Sequence, residues 1–145
     1  MGKGIVAMGD GLWDLFPDGP RFGGATANYA CHASILGADV HMVSGVGKDE
    51  RGEALLQVYQ KHGVNTDLVQ VFKDYPTGVV DVELTESGLP TFTIGENAAW
   101  DHWAWNQEIE VAVRKADALY FGTLGQRGDS ARAGIRRALE IASVT

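Results

Sequence analysis

In the stretch FGGATANYACHASILG, residues 22–37, Gly23 and Gly24 stand just before Asn28 at the start of a run of very small side chains. Paired glycines leave the backbone bare, so a polar ligand can approach main-chain groups closely. An asparagine amide supplies two donors and an acceptor, which complement the hydroxyl groups of a polyol. Gly23, Gly24 and Asn28 are therefore candidate sugar ligands. The alternative is a tight turn whose asparagine bonds only nearby backbone, and the stretch alone leaves both readings open.

Other chemistries find less support. GVGKDERG at 45–52 has Gly-x-Gly, but its third glycine comes too late for a dinucleotide fingerprint, and FGGATANYA lacks that spacing too. A Walker A loop fails because Lys48 is followed by Asp49 and position 42 is not glycine. His32, His41, His62 and His102 form no His-Glu-x-x-His pair, which argues against a zinc hydrolase, and no Gly-x-Ser-x-Gly elbow is present. Cys31 is the single cysteine, so neither an intrachain disulfide nor a thiolate metal cluster can form. No metal site is assigned.

The elements that must position these residues read as alternating strands and helices. GIVAMG at 4–9 is a short apolar run ending in glycine, the pattern of a strand buried on both faces. Thr26 to Leu36 carries small residues about one helical turn apart and is followed by Gly37 as a C-terminal cap. ADVHMVSGVG at 38–47 is a second buried strand, and Asp49 is the expected N-cap of a helix with Leu55, Leu56 and Tyr59 on one side, ended by Gly63. Such a succession predicts a doubly wound parallel α/β sheet, here of three or so strands.

Between Gly78 and Ile94 the pattern changes to alternation of apolar and polar residues around ESGLP, which predicts a hairpin with one solvated face. The dense tryptophans of AAWDHWAWN at 98–106 are expected to fill a core or an interface. A helix over 108–115, a strand at 118–122 and a helix from Asp129 or Ser130 to Ala142 follow, the last with Ile135, Ala138, Leu139 and Ala142 as its buried stripe. The sequence given ends in IASVT, whose last two residues, Val144 and Thr145, look like the beginning of a further strand.

The motifs together resemble the PfkB (ribokinase-like) family of ATP-dependent carbohydrate kinases, over nearly all 145 residues. GDGLWD at 9–14 is similar to the family's first-strand motif, in which a glycine precedes by five residues a sugar-binding aspartate, here Asp14. GGATAN at 23–28 resembles its Gly-Gly-x-x-x-Asn turn, with Ala30, Gly37 and Gly47 at signature positions. VGKDERGEALLQVYQKHGVNTD and PTGVVDVEL are similar to later family segments, and FGTLGQR at 121–127 looks most like the fructokinase branch.

The resemblance implies a ribokinase-like doubly wound sheet with a small β-lid, its strands around 11–22 and 78–94. It implies sugar hydroxyls held by Asp14, Gly24 and Asn28, with Arg127 as a further candidate toward substrate or transferred phosphate. Arg127's alternative role is a salt bridge near the start of the last helix. ATP and Mg2+ are implied as cofactors. The family's catalytic aspartate lies in a Gly-Ala-Gly-Asp type motif, and no Gly-x-Gly-Asp occurs here. GQRGD at 125–129 is the nearest look-alike, and Asp129 is not assigned as a base. The chain is therefore expected to be the N-terminal, substrate-side half of a kinase, with no catalytic residue and most of the ATP site absent.

Composition fits these expectations and excludes others. With 19 acidic and 12 basic residues, the net charge of −7 opposes nucleic-acid backbone binding as a main role. Arg127, Arg132, Arg136 and Arg137 at helical spacing read as a solvated face. No apolar run long enough for a membrane span and no signal peptide are found, so a cytoplasmic protein is expected. Three functions stay open: the sugar-binding half of a fructokinase-like enzyme, a non-catalytic sugar-binding module, and a fragment that forms a homo-oligomer through its lid or an exposed sheet edge.

Overall fold

The structure is a computed structural model that describes residues 2–142. Eight strands and four α-helices follow one another as β1 (Gly4–Met8), β2 (Leu12–Phe16), β3 (Gly19–Gly23), α1 (Ala25–Ile35), β4 (Asp39–Gly47), α2 (Glu50–Lys61), β5 (Val69–Phe72), β6 (Gly78–Leu84), β7 (Pro90–Ile94), α3 (Gln107–Lys115), β8 (Ala118–Phe121) and α4 (Asp129–Ala142). Short 3-10 turns occupy Ala99–Asp101 and Leu124–Gln126.

The strands divide into two sheets. The larger runs in the order β5-β4-β1-β8, all parallel, with Val6 opposite His41 on one side and Leu119 on the other. Alternation along its buried strands sends side chains to two cores. Val6, Met8 and Val43 join Trp103, Ile109, Ile135 and Ala138 under α3 and α4. Ala7, Val40, Met42 and Val46 meet Ala27, Ala30, Leu55 and Tyr59 under α1 and α2. This is the doubly wound architecture, helices on both faces.

The smaller sheet has the order β3-β2-β6-β7, with β2 and β6 parallel and both outer pairs antiparallel. It forms the β-lid. Leu12, Val80 and Val82 are buried on its inner face, and the hairpin alternation of residues 78–94 is realised as β6 and β7.

Local signals hold at several boundaries. Asp49 caps α2 by accepting the Gly52 N–H at 2.8 Å. Gly37, at φ 97°, and Gly63, at φ 78°, follow the ends of α1 and α2 in the conformation that favours glycine. Trp100 and Trp103 are fully buried, so the tryptophan-rich segment fills the core.

Two sequence expectations need correction. The main sheet has four strands rather than three or so, because VQVF at 69–72 pairs with β4 through a run too short and too polar to show as a buried strand. On α4 the buried stripe is Ala131, Gly134, Ile135, Ala138 and Ile141, whereas Leu139 and Ala142 face outward. Trp103 packs against Gly134 on that buried side, leaving no room for a Cβ there. The expected start of a further strand, Val144 and Thr145, lies outside the described residues.

Candidate functional site

Chain order and strand order reverse at β1. From β1 the chain builds toward β4 and β5 on one side, and later places β8 on the other. Helix crossovers then diverge, and a crevice opens beyond the carboxyl ends of the strands at that point. A cavity of about 360 Å³ lies there. Its floor is Asp10, just past β1, and Gly122 to Leu124, just past β8; Gly24 and Ala25 form a wall; Leu12, Asp14, Val80, Phe92 and Ile94 of the lid lean over it. A larger cavity of about 670 Å³ lies near the amino ends of β1 and β4. We place the site at the carboxyl ends, where helix N-termini and strand-end loops converge.

Asp10 organises the wall. It is 2% exposed, and its Oδ2 accepts the Ala25 N–H at 2.8 Å while Oδ1 accepts the Thr26 hydroxyl at 2.9 Å. Its carbonyl takes the Ala27 N–H at 3.1 Å. The first residue before α1 is Gly24, which has no side chain to cap the helix, so Asp10 supplies the cap from across the cavity. Gly24 sits at φ 102°, and a Cβ there would press on the Asp10 carbonyl oxygen. The paired glycines thus serve the turn itself as well as leaving room above it.

Asp14, on β2, presents the cavity's free carboxylate. It accepts no hydrogen bond from any described side chain or backbone group. A Cβ on Gly23 would overlap its Oδ2, so the bare glycine on the neighbouring strand leaves that carboxylate its place. Burial raises the Asp14 pKa above the usual aspartate value. A partly desolvated carboxylate without a partner in a crevice is a ready acceptor for hydroxyl hydrogens.

The structure brings Asp14 and Gly24 together in the cavity lining, whereas Gly23 is buried behind it, against the Asp14 carboxylate. Asn28 lies one turn further along α1, exposed, and its side chain is not part of the lining. Arg127 also stands outside the lining. Its Nε and Nη2 each donate at 2.8 Å to the two oxygens of Asp101, and its Nη2 reaches the Gly95 carbonyl at 2.7 Å. The salt-bridge alternative is what the fold displays. Sequence reasoning missed Asp10 as the helix cap and Thr123 on the floor. Asp10 sits 16 residues from Thr26, its hydroxyl partner, a separation no local pattern encodes.

Around the site, the lid's roots are pinned to the core. The Asp49 carboxylate accepts from Thr77 Oγ1 at 2.7 Å and Thr77 N at 3.0 Å, just before β6. Desolvation would raise its pKa, but the Thr77 and Gly52 bonds and nearby Arg51 outweigh it and hold the carboxyl below its ordinary value. Burial pushes the Cys31 thiol up to about 11, so the cysteine is a packed, unreactive group. Among the described residues no cluster of three or more His, Cys, Asp or Glu side chains could hold a metal, and no helix is long and apolar enough to cross a membrane.

A doubly wound sheet with a lid over a carboxylate-bearing crevice is the ribokinase-like α/β fold. The profile of the pfkB family carbohydrate kinases matches residues 19–143, and the chain belongs to that family. It is 29% identical over 133 residues to aminoimidazole riboside kinase of Salmonella typhimurium, covering 88% of this chain and 41% of that protein. Probable fructokinase-5 of Arabidopsis thaliana is 26% identical, with 95% and 47% covered. The crystal structure of a sugar kinase from Pyrococcus horikoshii superposes with a TM-score of 0.82 at 26% identity, covering 94% of this chain and 50% of that one. The same kinase in complex with ATP gives 0.81. The chain spans about half the length of the relatives it matches.

Proposed function

We propose that this chain holds the sugar for an ATP-dependent carbohydrate kinase of fructokinase type. Asp14 accepts hydrogen bonds from sugar hydroxyls, Gly24 leaves the backbone accessible with Gly23 making room for the carboxylate, Asn28 on the exposed side of α1 is the further candidate ligand, and the lid excludes water. The observation that carries this reading is the unpartnered Asp14 carboxylate inside a crevice at the switch point of the sheet. Family membership and the fructokinase relative support the substrate class.

Nothing in the described residues marks a site for a nucleotide with magnesium. They gather no carboxylate cluster, and the sequence has no Gly-x-Gly-Asp turn to supply a base beside a backbone anion hole. We therefore propose that ATP, Mg2+ and the catalytic base are held by residues other than the described ones. Calorimetry with fructose tests the sugar reading: binding that D14A weakens about tenfold or more is expected, from the loss of charge-assisted bonds. Fructose heats indistinguishable between the wild type and D14A would overturn it. A coupled assay with ATP and fructose should give no turnover, and rates above a boiled control would refute the division of labour.

A second reading, oligomerisation through the lid, is favoured by the exposed Leu84, Leu89 and Phe92. Its partner is a second copy of the chain, and light scattering that finds a monomer at all concentrations would exclude it.

A further inference from the structure

Arg127 lies outside the cavity lining, yet it touches Gly95, Trp100 and Asp101 at the base of the β6–β7 hairpin. We propose that Arg127 is a positioning residue that braces the chain's return from the lid to the core, and so fixes where Phe92 and Ile94 stand over the cavity. The brace does not depend on which ligand the cavity takes.

The geometry runs as follows along the chain. β7 ends at Ile94, and Gly95 is the first residue of the returning leg. Arg127 Nη2 donates to the Gly95 carbonyl at 2.7 Å and to Asp101 Oδ2 at 2.8 Å, while Nε holds Asp101 Oδ1 at 2.8 Å. The Asp101 side chain is 6% exposed, so the pair is largely shielded from water. The guanidinium also lies over the Trp100 ring, 4.2 Å from its centroid.

The turn Ala99–Asp101 in turn reaches the lid's other leg. The Ala99 N–H donates to the Pro76 carbonyl at 2.8 Å. A Cβ on Gly78, the first residue of β6, would overlap Trp100 Nε1. Both legs of the β6–β7 hairpin therefore rest on one turn, and Arg127 ties that turn to the segment after β8, whose Gly122 to Leu124 form the cavity floor. A planar fork that serves two carboxylate oxygens and a carbonyl at once is specific to arginine, and lysine keeps the charge without the fork.

Amide exchange on the full chain, without ligand, tests the proposal. The N–H groups of Gly95, Ala98, Ala99 and Asp101 are bonded to Val79 O, Asp101 Oδ2, Pro76 O and Ala98 O, and report the lid roots. Those of Gly9 and Met42, bonded to Val43 O and Asn65 O, report the core. R127Q is expected to speed exchange at the first group about tenfold or more and at the second by under about threefold, with R127K between it and wild type. If R127Q does not fold, R127K and D101N carry the same comparison. Equal acceleration at both groups would mean a general stabilising role and overturn the proposal. So would unchanged exchange at the lid roots together with loss of fructose binding, which would make Arg127 a ligand. Because exchange is read without sugar, failure of wild type to bind fructose would count against the proposed function alone.

Discussion

Replacing Asp10 with alanine removes the group that closes the N-terminus of α1. Its two carboxylate oxygens accept the Ala25 N–H and the Thr26 hydroxyl, at 2.8 and 2.9 Å, in a site that is 2% exposed. Loss of an N-cap costs about 1 kcal/mol. The Thr26 hydroxyl, itself fully buried, then lacks an acceptor, at about 1–3 kcal/mol for an unsatisfied buried polar group. The sum is about 2–4 kcal/mol, which at about 3–5 °C per kcal/mol lowers the Tm by about 6–20 °C. D10N keeps an oxygen for the Ala25 N–H and should cost about half as much. Urea unfolding followed by circular dichroism, with unchanged m, measures both. A D10A variant within about 0.5 kcal/mol of wild type would refute the assignment, because it would mean that the start of α1 is satisfied without Asp10.

Other outcomes follow from the same geometry. G24A forces a side chain into φ 102° and against the Asp10 carbonyl, so it should destabilise by about 1–3 kcal/mol in the same unfolding assay. D14N should be more stable than wild type at pH 7: a carboxyl whose folded pKa is raised favours the folded state only while protonated. The gap should close as pH falls below about 4. Asp49 has the opposite sign, with a lowered folded pKa. Its contribution is present above about pH 4 and is lost as pH falls through its folded value, so D49N should flatten acid unfolding in that window.

The sequence by itself determined the parts that depend on short-range periodicity and turn chemistry. Apolar runs marked β1, β4 and β8, small residues marked α1, Asp49 marked the start of α2, and the alternation around ESGLP marked the β6–β7 hairpin. These signals survive because their physical causes lie within a few residues: helix capping, strand pleating and the space a glycine leaves. The glycine pair drew attention by its own composition, whereas Asp14 was pointed to only by the resemblance to the family's first-strand motif.

Tertiary structure alone decided what those residues touch. The β2–β3 pairing sets Gly23 opposite Leu12 and leaves room over that glycine for the Asp14 carboxylate. Asp10 finds Thr26 across 16 residues, Arg127 finds Asp101 across 26, and Asp49 finds Thr77 across 28. Each of these bonds was closed by the winding of the sheet, which sets strand ends and helix starts side by side at the reversal around β1. For that reason Arg127 becomes a brace and Asp10 a cap, although neither role is written in its neighbours.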